Sequence, residues 1–79
     1  MKKHPKRRYY KDDALLKKIG EKIREVRLKS DISQEMLANE CEIDYSQVNR
    51  MELGKVNFSI SHLYKIASAL AVNPKDLLP

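Results

Sequence analysis

The chain has 79 residues, 34% of them charged and 42% hydrophobic, with 2 glycines, 3 prolines and a formal net charge of +5. That length holds one small domain, burying about 60–65% of its unfolded surface. The balance excludes wholesale disorder, and the shortage of Gly and Pro argues against a turn-rich all-β fold, leaving helix as the default. The longest small-apolar run, "IASALAV", is too short and too polar to cross a bilayer. The basic start resembles the opening of a signal peptide but has no apolar stretch behind it, so a soluble, cytoplasmic protein is expected.

Charge is unevenly placed. Residues 1–11 carry Lys2, Lys3, Lys6, Arg7, Arg8 and Lys11 with no acid, whereas residues 12–79 hold ten basic against eleven acidic groups. The whole excess therefore sits in a leading arm, predicted to be flexible, with residues 12–79 as the folded domain. Its "KRRYYK" stretch suits phosphate binding or insertion into a minor groove, above all through Lys6, Arg7, Arg8 and Lys11; a plain solubilising terminus would look the same.

From Asp12 or Asp13, Leu15, Leu16, Ile19, Ile23, Val26 and Arg27 recur at three- and four-residue steps, which predicts an amphipathic helix to about Lys29. Gly20 inside it costs about 1 kcal/mol against Ala, a cost that close approach of another helix would explain. Ser33 then caps a short second helix to Glu40 or Cys41, with Met36, Leu37, Ala38 and Cys41 facing inward. After "EID" a third helix starts on Asp44, with Gln47 three residues on in a capping-box arrangement, and runs from Tyr45 to about Leu53, where Gly54 stops it. Ser59 caps a fourth, marked by Ile60, Leu63, Ile66, Ala67 and Leu70 and reaching about Ala71. Asn73-Pro74 restarts the chain for a one-turn fifth helix holding Leu77 and Leu78. The fold expected is all-α, a compact five-helix domain.

The second and third helices are separated by only about three residues, the spacing of a helix-turn-helix unit, in which one helix braces the next and leaves its outer face exposed. That outer face is Tyr45, Ser46, Gln47, Asn49 and Arg50. A merely solvated face more often carries Glu and Lys; amides, a hydroxyl and a guanidinium match the edges of bases, Gln and Asn pairing bidentately with adenine and Arg with guanine.

From about Ile19 to Leu78 the chain resembles the lambda-repressor-like helix-turn-helix family (the Xre/Cro group), through "IREVR" (23–27), "ISQEMLA" (32–38), "VNRMELGK" (48–55), "LYKIASALAV" (63–72) and "DLL" (76–78). The resemblance implies a sequence-specific double-stranded DNA-binding regulator, a repressor acting by occupancy, commonly a homodimer on a palindromic site. It implies base reading by Tyr45, Ser46, Asn49 and Arg50 with Gln47 nearby, and a phosphate contact from Gln34 with Ser33 beside it. Lys55, Asn57 and Ser59 fall in the loop that follows the backbone. Arg27 and Glu52 fall where an ion pair joins the first and third helices. Val72, Leu77 and Leu78 are candidate dimer contacts, with core closure as the alternative.

Two positions depart from the family pattern. Glu42 stands in the turn and Asp31 after the first helix, each where Gly is frequent; a left-handed conformation there costs a non-Gly residue about 1–2 kcal/mol, less for Asp. Other functions of the same fold stay open: an antitoxin with a toxin as its protein partner, a restriction–modification controller, or a protein-binding module without DNA contact. An enzyme is not expected, since no nucleophile–base pair or phosphate-cradling loop is visible. Nor is any cofactor or metal: His4 and His62 lack partners at ligand spacing. Cys41, on an apolar stripe, reads as a small buried hydrophobe.

Overall fold

The computed structural model describes residues 10–79. Four α-helices follow in order: α1 (Asp13–Lys29), α2 (Gln34–Cys41), α3 (Tyr45–Glu52) and α4 (Ile60–Ala69), with a 3-10 turn at Pro74–Leu77. Lys6, Arg7 and Arg8 of the basic arm lie outside the described residues.

Each start is built from the predicted side chain except one. The Asp12 carboxylate accepts from the Leu15 N–H at 3.0 Å, Ser33 Oγ from the Met36 N–H at 3.0 Å and Ser59 Oγ from the His62 N–H at 3.1 Å. These bonds satisfy amide donors that the first helical turn leaves without partners. Asp44 makes no side-chain cap bond. The expected Asp44–Gln47 box is therefore absent: the Gln47 N–H donates to the Asp44 main-chain carbonyl at 2.9 Å rather than to its carboxylate, and the Gln47 side-chain oxygen accepts from Arg50 Nη2 at 3.0 Å.

The helix ends share one device. Asp31 (φ 58), Glu42 (φ 57), Gly54 (φ 72) and Ala71 (φ 59) all take positive φ. After each, a backbone N–H reaches back five residues: Ile32 to the Arg27 carbonyl (3.2 Å), Ile43 to Ala38 (3.0 Å), Lys55 to Arg50 (2.9 Å) and Val72 to Ala67 (3.0 Å). This left-handed closure satisfies an orphan carbonyl and turns the chain sharply. It explains why α4 ends at Ala69 rather than Ala71, and why α3 ends at Glu52 with Leu53 as its cap.

The predicted fifth helix is a single 3-10 turn, so the fold has four α-helices rather than five. Asn73 and Asp76 close a capping box around Pro74, as its sequence suggests. Leu78 then donates its N–H to the Lys75 carbonyl three residues back at 3.2 Å and returns to extended backbone (φ −97, ψ 148), which ends the turn before an α-helical bond can form.

Ile23, Leu37, Val48, Met51, Ile66 and Leu77 are fully buried where the elements meet, with Cys41, Leu63, Ala67 and Leu70 around them. Leu77 is thus a core residue and not a dimer contact, while Val72 is half-buried and Leu78 exposed. Leu15, Met36 and Ile60, expected to face inward, are exposed. Leu15 and Ile60 lie in the first turns of their helices, and Met36 lies at the rim of the narrow stripe by which α2 is buried. Burial pushes the Cys41 thiol up from its ordinary range, the behaviour of an inert core cysteine.

Gly20 sets the spacing of α1 against α3. A Cβ at this position would lie 2.6 Å from the Glu52 carbonyl oxygen and overlap that of Met51. Two helix backbones come this close only where one of them lacks a side chain, as the placing of Gly20 within the helix anticipated.

Candidate nucleic-acid interface

α2 and α1 grip α3 from the inside. Val48, Met51 and Glu52 are buried, Tyr45, Ser46 and Arg50 are exposed, and Gln47 and Asn49 are half-buried on the flanks between them. The five residues expected to read bases therefore sit together on the solvent side of one helix.

The inner side is fixed by a fork. Arg27 Nε donates to Glu52 Oε2 at 2.6 Å and Nη2 to Oε1 at 3.0 Å, while Nη1 donates to the Ile32 carbonyl at 2.8 Å. The two side chains are only 8% and 2% exposed. A bidentate pair has one relative orientation, so this contact links α1, the loop before α2, and the end of α3. The ion pair expected from the sequence is present, and its burial makes it a scaffold.

Gln34 does something the sequence reading missed. Its Nε2 donates to Glu52 Oε1 at 2.9 Å and to Asn49 Oδ1 at 3.3 Å. It thus joins the buried carboxylate to an amide of the reading face. In the sequence, a glutamine at a helix start gives no hint of partners 15 and 18 positions further along.

Among the residues expected on the DNA backbone, Ser33 and Ser59 use their hydroxyls as helix caps, and Ser59 Oγ also lies 3.2 Å from His62 Nδ1. Lys55 is exposed, and its carbonyl accepts from Lys11 Nζ at 3.3 Å. Asn57 Nδ2 donates to the Tyr10 carbonyl at 2.7 Å. The root of the basic arm is therefore tied to the loop after α3. A groove of about 780 Å³ runs between α1, the start of α2 and α3, with a lining of mixed charge: Lys17, Glu21, Arg24, Ser33, Gln34, Glu35, Tyr45 and Asn49 among others. Lys17 and Arg24 were not singled out from the sequence. Their separation of seven, about two helical turns, was the available signal that both lie on one face.

The opposite border is acidic. Glu42 and Asp44 are exposed beside the start of α3, Glu42 pairing with Lys65 at 3.7 Å. Among the described residues no group of three His, Cys, Asp or Glu is placed to hold a metal ion, and no helix is long and apolar enough to cross a membrane.

Residues 23–77 match the family model HTH_3, Helix-turn-helix. The control protein C.BamHI of Bacillus amyloliquefaciens is 47% identical over 60 residues, which cover 75% of this chain and 74% of that protein. An uncharacterized transcriptional regulator in the ATPase CF(0) region of Rhodospirillum rubrum is 37% identical over 54 residues, 68% of this chain and 50% of that one. Among solved structures, the restriction-modification controller protein C.AhdI from Aeromonas hydrophila superposes with a TM-score of 0.80 at 38% identity, covering 82% of this chain and 98% of the other.

Proposed function

The chain belongs to the HTH_3 helix-turn-helix family of DNA-binding transcription regulators, and on that premise we propose that it is a controller protein of a restriction–modification system, acting in the cytoplasm on a DNA operator. One observation carries the reading: α3 is locked from behind by the buried Arg27–Glu52 fork, so that Tyr45, Ser46, Gln47, Asn49 and Arg50 are offered outward on a rigid helix. The controller assignment is supported by the likeness to C.BamHI and to C.AhdI over most of both chains.

In this reading α3 enters the major groove, which is wide enough for a helix and carries a distinct pattern for each base pair. Ser33 and the main-chain N–H of Gln34 at the start of α2, with Lys55, Asn57 and Ser59 after α3, lie along the phosphates and set register. Lys6, Arg7, Arg8 and Lys11 add affinity without sequence preference, their root being held beside that loop by the Asn57–Tyr10 bond. Two copies bind a palindrome with half-sites about 34 Å apart, and occupancy represses by excluding polymerase.

Selection of bound duplexes from a random pool tests this. The expected product is an inverted pair of half-sites at one helical repeat, whose affinity loses several units of salt slope when residues 1–11 are removed. A pool that stays random would overturn the reading.

A further inference from the structure

We propose that the two amides on the reading face of α3, Asn49 and Gln47, turn their donor ends to the groove, so that with Arg50 they select acceptor-rich major-groove edges, guanine and thymine, and do not recognise adenine, while the hydroxyls of Tyr45 and Ser46 can both donate and accept. The proposal rests on the reading of α3 as the DNA-contacting helix and specifies what that helix asks of its site.

The polarity follows from groups that have no choice. The Glu52 carboxylate can only accept hydrogen bonds, and the Arg27 fork fixes where its oxygens point. Gln34, 2.9 Å from Oε1, must therefore turn its NH₂ toward Glu52. The same nitrogen lies 3.3 Å from Asn49, and an NH₂ facing an NH₂ would be repulsive, so Asn49 must turn its carbonyl oxygen inward. What Asn49 has left for the groove is its Nδ2, a donor. The buried ion pair thus sets the orientation of an amide on the outer face through one intermediary.

A second, independent contact imposes the same polarity on the other flank of the helix, two residues earlier. Arg50 has donors and no acceptor, so Gln47, 3.0 Å from Arg50 Nη2, must offer its Oε1 to it. Gln47 then has its Nε2 as the end free of a protein partner, and Arg50 keeps its remaining N–H groups. Both amides on the face thus turn their acceptor oxygens toward a donor within the protein.

Bidentate recognition of adenine requires one amide to accept from N6 and donate to N7 at the same time. With their oxygens turned toward Gln34 and Arg50, Asn49 and Gln47 are not oriented to do both. Guanine offers two acceptors, N7 and O6, thymine offers O4, and these match a set of donors. The adenine pairing that residue types alone suggest is the one this hydrogen-bond arrangement removes.

The test uses the full chain and the duplex enriched from a random pool, measured by titration with single-atom base analogues. Replacing a contacted guanine by 7-deazaguanine, which lacks the N7 acceptor, is expected to weaken binding about tenfold, the size of a lost base contact. Replacing any adenine by purine, which lacks the 6-amino donor, should change it less than about twofold. Gln34→Leu releases the Asn49 oxygen, and adenine should then gain about tenfold relative to guanine at a single base pair, whatever happens to overall affinity. An adenine whose 6-amino group matters about tenfold to the native chain, and not to Asn49→Ala or Gln47→Ala, would overturn the outward-donor orientation of the amides while leaving DNA reading intact. A pool with no enriched sequence would overturn the DNA reading itself, and this inference with it.

Discussion

On one side of α3, Val48, Met51 and Glu52 are sealed against α1 and α2; on the other, Tyr45, Ser46 and Arg50 face solvent, with Arg50 bonded to Gln47. The inner side spends a buried charge pair on orientation, in a place where apolar residues of similar volume would often be as stable or more so. The outer side carries residue types that weaken a helix slightly and gain nothing from the protein's own core. A helix whose two sides are each poor choices for stability is explained by a third body that meets the outer side at an angle set by the inner one.

Breaking the inner side should have the largest effect. Glu52→Ala strands Arg27 in a site where it is only 8% exposed, and removing one partner of a buried pair costs about 3–5 kcal/mol. For a domain of this size each kcal/mol lowers Tm by about 4–8 °C. Exchanging both partners for apolar residues, as Arg27→Met with Glu52→Leu, should cost much less in thermal melting yet still weaken specific binding. A double variant that melts and binds normally would show that the fork orients nothing.

Gly20 carries the same comparison into the backbone. Gly20→Ala inserts a methyl 2.6 Å from the Glu52 carbonyl oxygen, against the main chain of Met51 and Glu52, and overpacking of this kind costs about 1–3 kcal/mol. Because it pushes the end of α3 away from α1, operator affinity should fall with Tm.

The outer side should behave the other way. Arg50→Ala removes an exposed side chain and is expected to leave stability within about 0.5 kcal/mol, while costing about 1–3 kcal/mol on the preferred site and much less on random DNA. An equal loss on both would make Arg50 a phosphate contact rather than a base reader.

How much of this was legible in the sequence depends on the range of the interactions. Helix starts were readable because Asp12, Ser33 and Ser59 bond to amides three residues away. Asp44, with the same kind of side chain, fails for an equally local reason, the Gln47 N–H donating to the Asp44 main-chain carbonyl instead, which a residue-by-residue pattern does not weigh. The inner and outer faces of α3 followed from periodicity, whereas Met36 and Leu15 did not, because periodicity gives the centre of an apolar stripe and not its width. The Arg27–Glu52 pair was reachable only through the family resemblance. The Gln34 bridge, which decides what Asn49 can offer, needs three elements in place at once and left no trace in spacing.

The smallest effect expected is at the border between the two sides, and it separates two contributions that Glu42 combines. Its backbone is left-handed (φ 57, ψ 42), a conformation that costs a non-Gly residue about 1–2 kcal/mol. Its carboxylate, beside the start of α3, also repels phosphate. Against these stands an exposed pair with Lys65 at 3.7 Å, worth at most about 1 kcal/mol. Glu42→Gly should therefore raise stability by about 1 kcal/mol or less, seen as a small rise in Tm, and strengthen binding to nonspecific DNA as well. Glu42→Gln keeps the strained backbone and removes only the charge, so it should strengthen nonspecific binding without raising Tm. If Glu42→Gln raised Tm as much as Glu42→Gly, the relevant cost would be electrostatic and the left-handed closure of α2 would carry no strain.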